Sequence, residues 1–308
     1  MTARLPLLVV VLALLLIVAP AQGFAGRNSD LVYGWSQLDE PELGPSWRYI
    51  EAIRLIAPGG GEPRTVAGCD QTVPAQAPEA ARTCVLETFA DPAVSRDRER
   101  IAFDNGASLA LVDPDGSDFQ QLPAHSADDG EPAFSAAGGR LAFSAGAPLS
   151  GAGQGNRGIW VRNLASGTVR QLVAQGSDPA WSSRNWIAFE RTGQIWIVRP
   201  GGHGLRRLTG RGGAEPTWSP HGTQLAFVRG ASLLVLDLGT QQLRRVERSL
   251  DPTDLAWSPD GRRLAYTLFD GGVWTVRTDG RQPRELVAGG VGGTYSFQAA
   301  GVDWRPLR

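Results

Sequence analysis

A carboxylate recurs at one place in a repeated motif of the sequence. In five segments an aspartate or glutamate stands three residues before a hydrophobic anchor residue, and in a sixth an aspartate directly precedes the anchor. Converging carboxylates can bind a cation or the basic end of a peptide, or they can accept hydrogen bonds from neighbouring backbone. Both interpretations stay open for the six residues, Asp91, Glu131, Asp178, Glu215, Asp254 and Asp303.

Cysteine and histidine are too scattered to form a catalytic or metal centre. Cys69 and Cys84 lie fifteen residues apart, a spacing that favours one disulfide in an oxidising compartment, with a metal pair or a redox couple as alternatives. His125, His203 and His221 lie in different repeats, and neither His-Glu-x-x-His nor Gly-x-Ser-x-Gly occurs. The sequence therefore predicts no metal site and no nucleophilic catalysis.

The charged residues exclude several classes of function. All 30 basic residues are arginine, which excludes chemistry that depends on lysine, such as Walker-A phosphate binding and Schiff-base catalysis. The formal net charge of −1 gives no electrostatic indication of binding to nucleic acid or to an anionic membrane.

The first 21 residues have the pattern of a signal peptide. Arg4 precedes an apolar run from Leu5 to Val18, and small residues follow at Ala19 and Ala21. The run is shorter than the ~20 residues that a membrane-spanning helix needs, and an uncleaved N-terminal anchor is the alternative. We expect an exported protein, periplasmic or secreted, with a signal peptide at 1–21 and one folded domain at 22–308.

The anchor residues reveal an internal repeat that would position the carboxylates. They recur every 37 to 47 residues, which is typical of propeller blades. Each repeat contains four short β-strand patterns, A to D, bounded by Gly, Pro and Asp. We predict an all-β, six-bladed β-propeller. The anchors are Val94, Phe134, Trp181, Trp218, Trp257 and Trp304.

Both ends of the chain contribute to one mixed blade. The last segment, around Trp304, supplies strand A, and residues 31–33, 49–56 and 64–66 supply strands B, C and D. This arrangement closes the ring and leaves no free edge at the join. Because strand A is the innermost strand of a blade, we expect the six carboxylates to surround one mouth of the central channel.

The repeat resembles the TolB-type, WD40-like propeller repeat. The resemblance rests on Glu-Pro-x-Trp-Ser-Pro-x-Gly-x-x-Leu-Ala-Phe at 215–227 and on the Arg-Arg-Leu-Thr ending at 206–209. It covers about residues 30–306. It implies a six-bladed propeller with an extracytoplasmic binding role. Because the repeats fill nearly all of 22–308, we do not expect the α/β domain that precedes the propeller in TolB.

The long insertions are expected on one face of the propeller. Residues 36–48, 68–90, 146–157 and 289–300 fall in B–C or D–A connections, which form the loop face, whereas the A–B and C–D turns of the opposite turn face are short. Binding residues concentrate on loops carried by a rigid scaffold. We therefore expect a monomeric, non-catalytic module without a cofactor that binds a protein or peptide partner on the loop face.

Two other functions remain open. A calcium-dependent lactonase or esterase would use the carboxylates to hold its metal in the channel. A carbohydrate-binding propeller would use exposed tryptophans such as Trp35 and Trp47.

Overall fold

The structure, a computed structural model, describes the backbone of residues 30–39, 46–74, 89–106, 108–146, 157–248, 252–268, 272–288, 290–292 and 295–304. Over these residues the chain forms 25 β-strands and no helix. The strands assemble into six antiparallel sheets. The predicted all-β architecture is confirmed.

Blades two to six each contain four strands in chain order, A to D from the centre outwards. Blade two is β4 (Ala90–Val94), β5 (Ile101–Asp104), β6 (Leu109–Val112) and β7 (Gln120–Gln121). Blade three is β8 (Gly130–Phe134), β9 (Arg140–Ala145), β10 (Gly158–Asn163) and β11 (Val169–Val173). Blade four is β12 (Ser177–Trp181), β13 (Ile187–Arg191), β14 (Gln194–Val198) and β15 (Arg206–Arg207). Blade five is β16 (Ala214–Trp218), β17 (Gln224–Arg229), β18 (Ser232–Asp237) and β19 (Leu243–Arg248). Blade six is β20 (Pro252–Trp257), β21 (Arg263–Leu268), β22 (Val273–Arg277) and β23 (Arg284–Val287).

Blade one joins strands from both ends of the chain. It contains β1 (Leu31–Asp39), β2 (Ser46–Ile56), β3 (Arg64–Pro74), β24 (Gly290–Gly292) and β25 (Tyr295–Trp304), in the order β24-β25-β1-β2-β3. Strand β25 acts as strand A and contacts β20 and β4, the strands A on either side of it. The ring is thereby closed, and the predicted mixed blade is confirmed.

Blade one is longer than predicted. Strand β1 continues to Asp39, which pairs with Arg48 of β2, so much of the predicted loop 36–48 is a continued hairpin. Strands β3 and β25 likewise extend into the predicted loops 68–90 and 289–300. The loop prediction was wrong there because ladder partners distant in sequence decide whether such a segment forms a strand. Residues 146–157 do lie between β9 and β10, as predicted.

The hydrophobic core lies between the blades. Strand B of blade two shows the arrangement: Ile101 and Phe103 pack against blade one, whereas Ala102 between them packs towards blade three. Successive residues of a strand point to opposite faces of the sheet, so one short motif serves two interfaces. The recurring Leu/Ile-Ala-Phe motif therefore holds neighbouring blades together.

Arginines connect neighbouring blades on the turn face. The first arginine of strand D donates to a carbonyl in the C–D turn of the following blade, an arrangement that we call the arginine clamp. Four interfaces have one: Arg64 to Pro114 O (2.7 Å), Arg170 to Pro200 O, Arg244 to Thr278 O, and Arg284 to Gly59 O (2.5 Å). The backbones approach closely beside two of these clamps. A Cβ added to Gly280 would lie 2.6 Å from Val246 O, and one added to Gly116 would lie 2.8 Å from Val66 O.

Candidate functional site

The six innermost strands surround a central cavity of about 440 Å³. All six predicted carboxylates line it: Asp91, Glu131, Asp178, Glu215, Asp254 and Asp303. The lining continues to residues of the A–B turns, namely Arg96, Ser183, Pro220 and Pro259, on the turn face. Five carboxylates stand at the second or third residue of strand A, which places them nearer the loop face. The structure thus brings the predicted residues together.

Five of the carboxylates occupy an unusual backbone conformation. Asp91, Glu131, Asp178, Glu215 and Asp254 have φ between +43° and +54°. Each lies where the pairing of strands A and B shifts register. Such a β-bulge redirects a side chain out of the regular alternation of the strand. Here it accompanies carboxylates that line the central cavity.

Three of the five accept hydrogen bonds from described residues. Glu131 Oε2 accepts the backbone N–H of Asp178 in the next blade (2.7 Å) and the hydroxyl of Ser144. Asp254 Oδ2 accepts the Thr267 hydroxyl (2.8 Å). Asp178 Oδ2 accepts the Ser177 hydroxyl (2.9 Å).

Asp303 has a structural contact. Its Oδ2 accepts the backbone N–H of Val94, 2.7 Å away in blade two. This is the blade-to-blade hydrogen bond that the sequence left as one interpretation of the motif.

Burial and mutual repulsion disfavour ionisation of three ring carboxylates, Asp91, Asp178 and Glu215. Burial, and then the charge of Glu131, raise the pKa of Asp178 to about 7. Burial raises the pKa of Asp91 well above its usual range, and the charges of Asp254 and Glu131 add to this effect. The pKa of Glu215 is raised well above its usual range by burial and then by the charge of Asp178. These are the effects expected of converging carboxylates that cations do not neutralise.

One cation reaches the ring among the described residues. Arg157 Nη2 lies 3.6 Å from Glu131 Oε1 and donates to the Ser144 hydroxyl at 2.8 Å. Its Nη1 lies 3.8 Å from Asp128. Arg157 is the last residue of the 146–157 segment, so the segment predicted as a loop also carries the counter-charge.

Sequence reasoning missed the residues that surround the ring from strand B. The residue after each Leu/Ile-Ala-Phe or Leu-Ala-Tyr motif lies opposite the bulge of strand A. In two repeats it is a residue whose hydroxyl donates to the ring acid: Ser144 to Glu131 and Thr267 to Asp254. In two others it is a further acid, Asp104 or Glu190, whose pKa burial raises. The sequence could have indicated these residues, because each follows the Leu/Ile-Ala-Phe or Leu-Ala-Tyr motif at the same position.

The other predicted features contribute less. Among the described residues, no group of three His, Cys, Asp or Glu side chains has an arrangement that could hold a metal ion. Trp35 is 6% exposed and packs against Tyr33 in an interblade cluster. It is therefore not the exposed tryptophan that the carbohydrate-binding alternative required of it. The side chain of Trp47 and all of Cys84 lie outside the described residues. The disulfide between Cys69 and Cys84 stays a prediction.

Sequence comparisons place the repeats close to those of TolB. No family model matches the chain. A TolB homologue of Chlorobium luteolum is 33% identical over 142 residues, which are 42% of this chain and 31% of that protein. The chain thus spans about a third of the length of this curated relative.

Comparison with solved structures shows the same fold. TolB from Acinetobacter baumannii superposes with a TM-score of 0.68 at 21% identity, over 91% of this chain and 68% of that one. A chain of a nidogen/laminin complex superposes with a TM-score of 0.63 at 12% identity, over 88% of this chain and 98% of the other. The chain therefore has the six-bladed propeller fold seen in TolB, and part of it is similar in sequence to curated TolB homologues. The described residues contain no helix that could cross a membrane.

Proposed function

We propose that this TolB-like propeller is an exported, non-catalytic binding module that holds a protein or peptide partner over its acidic channel. The observation that carries the proposal is the convergence of six carboxylates in one cavity, where Arg157 is the one described cation within ion-pair distance of the ring. Loops and channels of a rigid scaffold are common binding sites. The signal-peptide pattern at 1–21 supports export.

The chemistry of the ring favours a partner with an exposed cationic group. Asp91 and Glu215 line the cavity without a described side-chain hydrogen bond or ion pair. An arginine, a lysine or an N-terminal amine would supply the missing counter-charge and would favour the ionised carboxylates. We propose that the partner binds on the loop face, because the carboxylates lie nearer to it, the long strands of blade one continue towards it, and the connection between β9 and β10 begins and ends there.

The first test is capture of the partner from an envelope or culture-medium extract by the chain without residues 1–21. The double variant Asp91→Asn/Glu215→Gln removes two charges and keeps similar shapes, so we expect capture to weaken at least tenfold. The matched control is Asp97→Asn, an acid in an A–B turn on the opposite face, which should leave capture unchanged. Equal capture by wild type and the ring variant would contradict a role for the channel.

The second test concerns the face. Shortening 146–157 while keeping Arg157 should abolish capture, whereas Arg262→Ala/Arg263→Ala on the turn face should preserve it. The opposite result would place the partner on the turn face, which the cavity also reaches.

Binding of a cationic group should strengthen as pH rises. The pKa of Asp178 is raised to about 7, so this carboxyl group still ionises near neutral pH, and a cation binds its ionised form more tightly. We expect affinity to increase between pH 5 and pH 8 with release of protons, as measured by calorimetry in buffers of different ionisation enthalpy. Affinity that is independent of pH would contradict a cation at the ring.

The same ring motivates the calcium-dependent alternative. A bound ion stabilises the folded state by mass action, so a site of useful affinity should raise the melting temperature by several degrees at millimolar calcium. A calcium-induced shift that Asp91→Asn/Glu215→Gln abolishes would favour the metal-dependent reading. An unchanged melting temperature would remove it.

A further inference from the structure

We propose that the seam between blades four and five, on the outer edge of the propeller, binds an acidic peptide segment of a partner protein. The site, which we call the basic seam, consists of Arg206, Arg245, Leu243 and Trp186. Arg206, Leu243 and Arg245 lie on the outermost strands, Trp186 precedes strand B of blade four, and the arginines give the seam the charge opposite to that of the acidic channel.

The basic seam begins with an arginine that makes no clamp. In five blades an apolar residue and an arginine stand together at the start of strand D: Pro63-Arg64, Val169-Arg170, Leu205-Arg206, Leu243-Arg244 and Pro283-Arg284. Four of these arginines clamp the C–D turn of the next blade. Arg206 instead lies with its guanidinium 5.7 Å from the ring centroid of Trp186, without a hydrogen bond or ion pair to any described residue.

The strand register brings a second arginine to the same seam. Arg206 pairs with Ile197 and Arg245 pairs with Leu234. Ile197 and Leu234 belong to one hydrophobic cluster between blades four and five. Paired residues of antiparallel strands share a face of the sheet, so Arg206 and Arg245 project towards the seam from its two sides. Arg245 also makes no hydrogen bond or ion pair with the described residues.

Apolar surface accompanies the two cations. Leu243, which pairs with Leu236 of the same cluster, is 47% exposed. Trp186 packs partly against the cluster, and Arg199 covers its ring at 3.9 Å. An exposed leucine beside unpaired guanidinium groups is the surface that an acidic, partly apolar peptide complements.

The sequence around Arg206 contains no acid that could pair with it. From Arg191 to Ala214 the chain has five arginines and no acid. Guanidinium groups bind carboxylates bidentately and with defined geometry. A single extended chain can place carboxylates on Arg206 and Arg245 and an aliphatic side chain on Leu243. A flat lipid surface would meet the rim but could not enter a seam between two sheets.

The test is fluorescence anisotropy of the full chain with a labelled peptide of about eight alternating glutamate and leucine residues. We expect saturable binding that weakens at least tenfold in Arg206→Ala/Arg245→Ala. The peptide in which glutamine replaces glutamate should also bind at least tenfold more weakly, and raised salt should weaken binding because exposed charges are screened.

The matched control is Arg244→Ala, which removes the neighbouring clamped arginine. It should lower the melting temperature and leave peptide affinity unchanged. Both seam arginines are exposed, so a thermal melt of the double variant should show a folded protein.

Three results would overturn the proposal. The glutamate and glutamine peptides could bind equally well, or Arg244→Ala could weaken binding as much as the double variant. The third is that the peptide does not bind, while phosphatidylglycerol vesicles bind in a way that depends on Arg206 and Arg245. That result would show that the seam binds lipid headgroups.

Discussion

The carboxylates of the channel combine backbone strain with electrostatic repulsion. A non-glycine residue at positive φ costs about 1–2 kcal/mol. Glycine would adopt φ near +50° more readily, yet five repeats have an acid there. Strain of this kind persists at sites where the side chain has a role. The repetition within one chain therefore indicates that the carboxyl group itself is needed, for binding or for interblade hydrogen bonds.

Replacing Asp178 with asparagine should stabilise the protein above neutral pH. Its pKa is raised from 3.8 to about 7 in the folded state. Between these values the folded state binds more protons than the unfolded state, so stability falls as pH rises through this window. At pH 8 we expect Asp178→Asn to raise the melting temperature by about 2–4 °C, equivalent to ~1 kcal/mol.

The matched control for Asp178 is Asp97→Asn. A hydrogen bond from the Ser95 hydroxyl lowers the pKa of Asp97 in the folded state. Its carboxylate therefore stabilises the fold at pH values above the pKa of the unfolded state, and this contribution is lost as the pH falls through the folded pKa. Asp97→Asn should lower the melting temperature at pH 8. A drop for Asp178→Asn as well would show that its hydrogen bond outweighs the repulsion.

At the scale of elements, the C–D turns join one blade to the next. The turn glycines serve two purposes, because they accept positive φ and let a neighbouring carbonyl approach. Gly280 has φ +83° and faces Val246 O. Gly167 has φ +69° in the equivalent turn of blade three, with nothing within 4 Å of a built Cβ.

This pair separates the two purposes. Gly167→Ala should cost about 1 kcal/mol for backbone strain alone. Gly280→Ala should cost about 3 kcal/mol, because the added methyl group also forces the two blades apart. Urea unfolding of both variants measures the difference. Equal losses would show that the interface relaxes without cost.

At the scale of the whole molecule, stability depends on closure of the ring. Leu31, Val32 and Tyr33 of β1 are fully buried and pair with the last residues of β25, at Trp304, Asp303 and Val302. Removing residues 301–308 exposes them together with an unpaired strand edge. We expect the melting temperature to fall by more than about 10 °C and the protein to aggregate.

The point variant for closure is Asp303→Ala. It leaves the Val94 N–H without the acceptor that spans blades one and two and should cost about 1–3 kcal/mol. Thermal melts of both proteins measure these effects. A truncated chain that melts like wild type would show that β25 is dispensable for closure.

Much of the architecture follows from the sequence because a propeller is built by local repetition. The anchor spacing gives the blade number, and Gly, Pro and Asp mark the turns between short strands. The gathering of the carboxylates also follows, since strand A of every blade lines one channel. A repeated position thus becomes a ring in three dimensions.

Tertiary structure alone decided the features that depend on partners distant in sequence. Strands β1, β2, β3 and β25 pair with one another and thereby continue into segments whose Pro and Gly content predicts loops. The positive φ of the acids arises from bulges between strands A and B. Arg206 and Arg244 begin strand D in the same sequence context, yet only Arg244 reaches the next blade, because contacts across a blade interface depend on the packing of both sheets and not on the local sequence.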